Sequence, residues 1–246
     1  MISLTTLAQE EKKDSDTTRI KLSKREIIIV DKDTIDASGD WSDKHDGRWD
    51  GIDFGPTILL NGSGGSSFPL DPQWENDPAK SFYWNLNFFD HRFQVYKHVF
   101  GITTGLGVNF TQIGIRNNKI LLENSDSLWV VSDTINNYKK NKLRATYLQV
   151  PLLFEFNTNS DEDKAFYFAV GAIGGVRVGS ALIQKIDSDK IKVKGDYALN
   201  PFKLDATFRM GYGDWGLFAN YALLPLFETS KTSVVYPFTF GASLNF

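Results

Sequence analysis

Six charged side chains stand inside segments that are otherwise apolar or built from small residues: Asp53, Glu155, Arg177, Lys203, Asp205 and Arg209. Three are acids and three are bases, so the set is neutral as a whole. Charges withdrawn from water need partners, because an isolated ion in a low-dielectric interior is strongly disfavoured. Two chemistries fit such a set: a cross-paired network that fixes a structure, or the lining of a conduit for ions or protons. Other reactive residues are sparse. His91 and His98 lie seven apart beside Asp90, which fits no HxH or HxxxH zinc spacing, and His45 lies in a charged stretch. Ser180, Ser230 and Ser233 have no histidine near them in sequence to act as a base. Gly101-x-x-x-Gly105-x-Gly107 and Gly171-x-x-Gly174-Gly175 precede no helix, so neither reads as a phosphate cradle. The acids between Asp31 and Asp46 lack the twelve-residue, Glu-terminated loop of a calcium site. With no cysteine, thiol chemistry and disulfides are excluded. No catalytic, cofactor or metal residue is therefore expected.

The elements that must position the six charges are β-strands. From Trp49 onward large apolar residues recur at every second position, a period of two that marks strands with one greasy and one polar face. Eight such segments can be counted, near 50–60, 81–96, 99–112, 143–156, 165–178, 202–212, 215–227 and 234–246. The sixth is the clearest: Phe202, Leu204, Ala206, Phe208, Met210 and Tyr212 alternate with Lys203, Asp205, Thr207, Arg209 and Gly211. In the second, the register blurs at Asp90-His91-Arg92, where a bulge is expected. These lengths match or exceed the 9–11 residues with which a tilted strand crosses a bilayer.

Connections alternate between long (Asn61–Lys80, Gly114–Lys142, Ser180–Asn200) and short (Tyr96–His98, Asn157–Asp163, Gly213–Asp214), with Glu228–Ser233 short where a long one is due. That is the pattern of an antiparallel up-and-down barrel with loops at one end and turns at the other. The polar stripe is rich in glycine and carries the balanced charges, which suits a narrow interior. The apolar stripe is nearly uncharged, with aromatics such as Tyr212 and Trp215 at strand ends, which suits a lipid-facing exterior with interfacial girdles. The expected fold is all-β, an eight-stranded transmembrane barrel over residues 49–246. An eight-stranded interior holds side chains and little more. The opposite arrangement, a soluble lipocalin-like barrel carrying a small apolar ligand, places the apolar stripe inside.

Composition sets the outer limits. The chain has 246 residues, 14% aromatic with 19 Phe, and contains no run of 18 apolar residues that would make a spanning helix. A net charge of -3 argues against nucleic acid as a partner. Residues 1–8, ending Thr6-Leu7-Ala8, read as the tail of a secretory signal; residues 9–48 read as an N-terminal segment and linker. Within it Arg19–Leu22 and Glu26–Val30 can pair as a small hairpin.

Several stretches together resemble the outer-membrane β-barrel proteins of Bacteroidetes, a PorT-like family. They are Thr17-Thr-Arg-Ile-Lys-Leu22 followed by Ile27-Ile-Ile-Val-Asp31, Val99-Phe-Gly-Ile-Thr-Thr-Gly-Leu-Gly107, Tyr147-Leu-Gln-Val-Pro-Leu-Leu-Phe-Glu-Phe156 and the last strand ending on Phe246. The likeness runs from about residue 17 to the end. It implies an outer-membrane address, a periplasmic N-terminal segment, and a terminal Phe246 read as an assembly signal by the barrel-assembly machinery. It carries over no catalytic residue. The expected function is a non-enzymatic structural or interaction component of the cell envelope, with type IX secretion as the link the PorT branch suggests. The expected partners are outer-membrane lipids and lipopolysaccharide, the assembly machinery, and envelope or secretion proteins. A lipid-modifying outer-membrane enzyme is the alternative.

Overall fold

A computed structural model describes residues 17–22, 25–30 and 47–246, apart from positions 70, 117, 125, 187 and 188. It divides into two units, Met1–Lys44 and His45–Phe246. In the first, β1 (Thr17–Leu22) and β2 (Arg25–Val30) pair antiparallel from Thr17↔Val30 to Leu22↔Arg25, the hairpin expected from the two apolar runs. The signal-like residues 1–8, the acidic stretch 31–46 and His45 lie outside the described residues.

The second unit is a ring of long strands. In chain order it contains β3 (Gly51–Asn61), β4 (Phe82–Tyr96), β5 (Phe100–Gly114), β6 (Lys119–Glu123), β7 (Leu128–Ser132), β8 (Tyr138–Asn157), β9 (Phe166–Ile186), β10 (Asp189–Lys194), β11 (Phe202–Tyr212), β12 (Trp215–Ala222) and β13 (Val235–Asn245). Eight of them, β3-β4-β5-β8-β9-β11-β12-β13, pair antiparallel in that order, and β13 returns to β3 to close the barrel. Register can be followed once round the wall. From Phe100 it passes through Phe156, Phe168, Met210, Leu217, Ala242, Phe54 and Trp84, and arrives at Phe110, ten residues further along the same strand. A stagger of ten over eight strands tilts them by ~40° from the barrel axis, given standard strand spacing and rise.

All the residues on that circuit face outward. Along β11, Phe208 is 43% exposed while Arg209 is fully buried, and the same alternation runs through β3, β8, β12 and β13. The exposed belt is built from Phe, Leu, Val, Met and Trp, so its solvent is hydrocarbon. A barrel with an apolar interior and a wet exterior is the reverse of what is seen, which removes the soluble-carrier reading.

Three details depart from the sequence expectation. First, β12 ends at Ala222, not near 227, because Pro225 cannot continue the ladder and Leu226 and Phe227 turn into a loop-end core. The connection therefore runs over 223–234, and long and short connections alternate all the way round. Second, the loops carry structure. β6 and β7 form a hairpin, while β8 and β9 overrun the barrel and pair with β10 as a three-stranded extension. Third, Gly47 and Arg48, expected in the linker, are buried inside the barrel.

Candidate functional site

The lumen is where the charges converge. Asp53, on the inward face of β3, receives the Arg209 guanidinium from the opposite wall through Nη2 to Oδ1 at 2.5 Å and Nη1 to Oδ2 at 3.1 Å. Asn85 and Asn87 on β4 donate to the same Oδ2 at 3.1 and 3.0 Å. Four N–H donors on one carboxylate satisfy a charge that no water reaches. The guanidinium is also covered by the Trp49 ring at 5.1 Å and by Phe218 at 5.9 Å. One level up, Lys203 pairs with Asp205, two residues along β11, at 3.0 Å and lies 4.8 Å from the centre of the Tyr83 ring.

Glu155 is fully buried on β8. Its partner is Arg92, with Nε 3.3 Å from Oε1, and it accepts from the Arg48 backbone N–H at 3.0 Å, Thr103 Oγ1 at 2.9 Å and Asn157 Nδ2 at 3.0 Å. Arg92 and Arg48 are absent from the six charges read from sequence, and one local event explains Arg92. Inward positions on β4 are odd through Asn87, then the register slips between Phe88 and Asp90. Phe89 sits at φ 61° in this bulge, so Phe88 and Phe89 both face out and Asp90 and Arg92 become inward positions. The irregular stretch at Asp90-His91-Arg92 was visible in the sequence; its consequence for Arg92 was not.

Arg177 is the correction among the six. It meets none of Asp53, Glu155 or Asp205. It stands at the loop-end rim, one inward position above Gly175, where β9 bulges opposite Thr146 and Tyr147. From there its Nη1 reaches outward to Asp196 Oδ1 at 3.0 Å and to Ser180 Oγ at 2.7 Å.

Both ends of the lumen are closed. At the turn end residues 47–49 fold in ahead of β3. Trp49 is wholly buried, its backbone N–H donates to Asp90 Oδ2 at 3.1 Å and its Nε1 to the Leu106 carbonyl at 3.0 Å. The glycines of β5 make the room: a Cβ on Gly105 would lie 2.7 Å from the Trp49 ring. The glycines of β5 are thus explained by particular occupants, Arg92 beside Gly101 and Trp49 beside Gly105 and Gly107.

At the loop end an apolar core fills the mouth. Trp74 packs on Phe227 with ring centroids 4.6 Å apart, among Leu59, Leu121, Leu128, Leu199 and Val235. Tyr197 and Ala198 hold successive left-handed conformations, and the Glu123 carboxylate accepts both of their N–H groups at 2.6 and 2.7 Å. Between the polar lumen and this cap lies a cavity of ≈ 30 Å³ touching Lys203, Asp205, Tyr147 and Leu226. That is room for ordered water and not for a solute.

The other reactive residues are not brought together. His91 is exposed and meets Phe93 edge-on at 4.5 Å, and the His98 carbonyl accepts from Arg92 Nη2 at 3.0 Å. Ser180 bonds Arg177 and the Gly195 carbonyl, and Ser233 bonds Asp71. Among the described residues no three His, Asp or Glu side chains are grouped as metal ligands. Phe246 is 76% exposed at the turn end, its N–H directed to the Asp50 carbonyl beside the β13–β3 seam.

A closed antiparallel barrel, apolar outside and filled with paired polar groups inside, defines a membrane-spanning β-barrel. Residues 83–230, more than half of the chain, match the family model described as outer membrane protein beta-barrel domain, and the chain belongs to that family. It is an integral outer-membrane protein. Neither the curated proteins nor the solved structures contain a match to it.

Proposed function

We propose that this barrel is a non-enzymatic structural or interaction component of the cell envelope, and that its partners bind its ordered loop end and its N-terminal unit. The observation that carries this reading is the double closure of the lumen, by Trp49 below and the Trp74–Phe227 core above. A barrel so filled offers no path for a solute, and its interior charges pair with one another as Asp53–Arg209, Glu155–Arg92 and Lys203–Asp205. Strand overruns and a packed cap, in contrast, are an investment in a rigid surface outside the membrane. Long loops face the cell exterior in bacterial outer-membrane barrels, so the short-turn end, with residue 47 and Phe246, is assigned to the periplasm. The PorT-like resemblance makes secretion-associated proteins the first partners to test.

The test is threefold on the purified, folded protein. Planar bilayers should show no stepwise conductance, labelled lipopolysaccharide should not be turned over, and cross-linking in cells should trap envelope proteins on the cap. Lipid turnover lost on substituting His91 or Ser180 would instead establish the enzymatic alternative.

A further inference from the structure

Where β8 and β9 overrun the barrel and pair with β10, cross-strand register assembles three rows of side chains on the outer face. The lowest row is Arg144–Ala181–Lys194, the next Lys142–Ile183–Lys192, the highest Lys140–Lys185–Lys190. Inward positions on β8 run without a break from Leu143 and Ala145 through Tyr147 and Gln149, so Arg144, Lys142 and Lys140 share the outer face with the lipid-exposed Leu148, Val150 and Leu152. Seven of nine positions are basic, and none of these seven forms an ion pair with a described residue. Among the described residues, the acids that flank β10 in sequence are Asp189 at its start and Asp196 beyond its end, and Asp196 is bound to Arg177. Like charges set opposite one another in a sheet destabilise it unless a counter-charge is supplied.

Position identifies the counter-charge. Arg144 stands four residues above Leu148, which at the strand rise and tilt is about 10 Å along the barrel axis. The head-group region adds about 5–8 Å beyond each hydrocarbon edge, so Arg144 stands at its outer margin. A depression lined by Arg144, Thr146, Val178, Gly179, Lys192 and Lys194 joins the greasy belt below to the basic rows above. Val178 at its lower edge is 62% exposed. Aromatic rings flank the two lower rows on the other side: Lys142 lies 5.7 Å from the Phe82 ring centre, and Trp84 stacks on Phe110 at 4.2 Å. The face looks sideways into the leaflet, and a protein or polyanion arriving from outside meets the loop tips first.

We propose that the outer face of the β8–β9–β10 extension binds the phosphorylated head group of a lipid in the leaflet at the loop end, of the kind lipopolysaccharide carries. Acyl chains lie along Leu148 and Val178, and phosphates lie among Arg144, Lys142, Lys192 and Lys194. This rests on the outer-membrane reading above and adds to it a site and a ligand chemistry. Lysines act there as point charges, so affinity depends steeply on salt.

The protein reconstituted in phosphatidylcholine nanodiscs, doped with lipopolysaccharide or with the same lipid stripped of its phosphates, tests this by native mass spectrometry of retained lipid. Wild type should retain the phosphorylated form at least tenfold better, and high salt should abolish the preference. The combined Lys142→Gln, Arg144→Gln, Lys192→Gln variant should lose it, while Lys97→Gln, Lys164→Gln, Lys231→Gln should keep it; heat-modifiable migration verifies that each variant is folded. Equal retention of both lipids, or a triple variant indistinguishable from wild type, overturns the site. Full competition by inorganic phosphate at matched phosphate concentration overturns the lipid source in favour of a free anion. Failure of wild type to enter nanodiscs as a heat-modifiable barrel would strike the membrane reading beneath it instead.

Discussion

The lumen and the loop-end cap are neighbours in one unit, and both exclude water, yet they are built from opposite chemistry. The lumen is held by Asp53–Arg209, Glu155–Arg92 and Lys203–Asp205 with their asparagine and threonine donors. The cap is held by Trp74, Phe227, Leu121 and Leu199. Their surroundings account for the contrast. Within the belt the outside is hydrocarbon, so turning a leucine inward gains little over leaving it against lipid, whereas polar groups have nowhere to go except each other. Above the belt the outside is water, and burying a phenylalanine regains its full driving force. The polar lumen also fixes register. A slip of one residue would place Asp53 in lipid and Phe54 in the lumen, so the network penalises every misregistered barrel.

The sharpest way to break this comparison is to remove one charge from the lumen. Asp53→Ala leaves Arg209 buried without its carboxylate and should destabilise the barrel by roughly 3–5 kcal/mol. Urea unfolding in detergent, followed by tryptophan fluorescence, measures it. The double replacement Asp53→Met, Arg209→Met should recover much of that loss. A single variant within about 1 kcal/mol of wild type would mean water enters the lumen and screens the pair.

Cap variants should fail differently. Leu121→Ala removes a buried side chain from the apolar core and should cost roughly 2–5 kcal/mol, confined to the loops. Limited proteolysis should cut the loop end sooner while the barrel keeps its heat-modifiable migration. If barrel and cap unfold together, they are one cooperative element and the contrast between them is only chemical. On the outer face the cost should depend on depth. Phe208→Arg, near mid-belt, should cost roughly 2–4 kcal/mol, and Phe202→Arg, at the rim, roughly 0–1 kcal/mol. Equal costs at the two sites would place the membrane elsewhere along the barrel.

Much of the barrel was legible in the sequence because a strand repeats every two residues and lipid enforces the alternation wherever no bulge intervenes. Each of the eight segments is a strand of the ring, and the inward charges Asp53, Glu155, Lys203, Asp205 and Arg209 follow from parity alone. What broke parity was hidden. The Phe89 bulge put Arg92 inside, and the bulge in β9 at Val178 left Arg177 at the rim. Trp49 and Arg48 precede the first strand, and nothing periodic marks a segment that folds into a lumen. Its trace was indirect: the glycines of β5 leave a space whose occupant only the fold identifies. The cap was illegible for a related reason. Loop residues such as Trp74, Leu199 and Phe227 are brought together by the barrel mouth, and their sequence spacing records none of that.

The smallest effect is expected at a hydrogen-bonded carboxylate that the water side of the comparison supplies. Asp133, in the connection between β7 and β8, accepts from the Tyr138 hydroxyl at 2.7 Å and from Asn136 Nδ2 at 2.9 Å, with the Ile135 and Asn136 backbone N–H groups at 2.8 and 3.0 Å. The Tyr138 hydroxyl first, then the Asn136 side-chain amide and the backbone donors, hold its carboxyl well below the usual aspartate range. Its donor set rivals that of Asp53, but bulk water competes for every bond. A folded-state value below the unfolded one contributes stability above pH ~4, and that contribution fades only as pH falls through the lower folded value. Carbon-13 NMR of the Asp133 carboxyl should therefore show it still ionised where an ordinary aspartate is half protonated. Tyr138→Phe should move its midpoint upward, and Asp133→Asn should lower the unfolding midpoint at pH 7 only slightly, because solvent screens the site. A loss at Asp133→Asn comparable to that at Asp53→Ala would show that donor count, rather than exclusion from water, sets the strength of the lumen network.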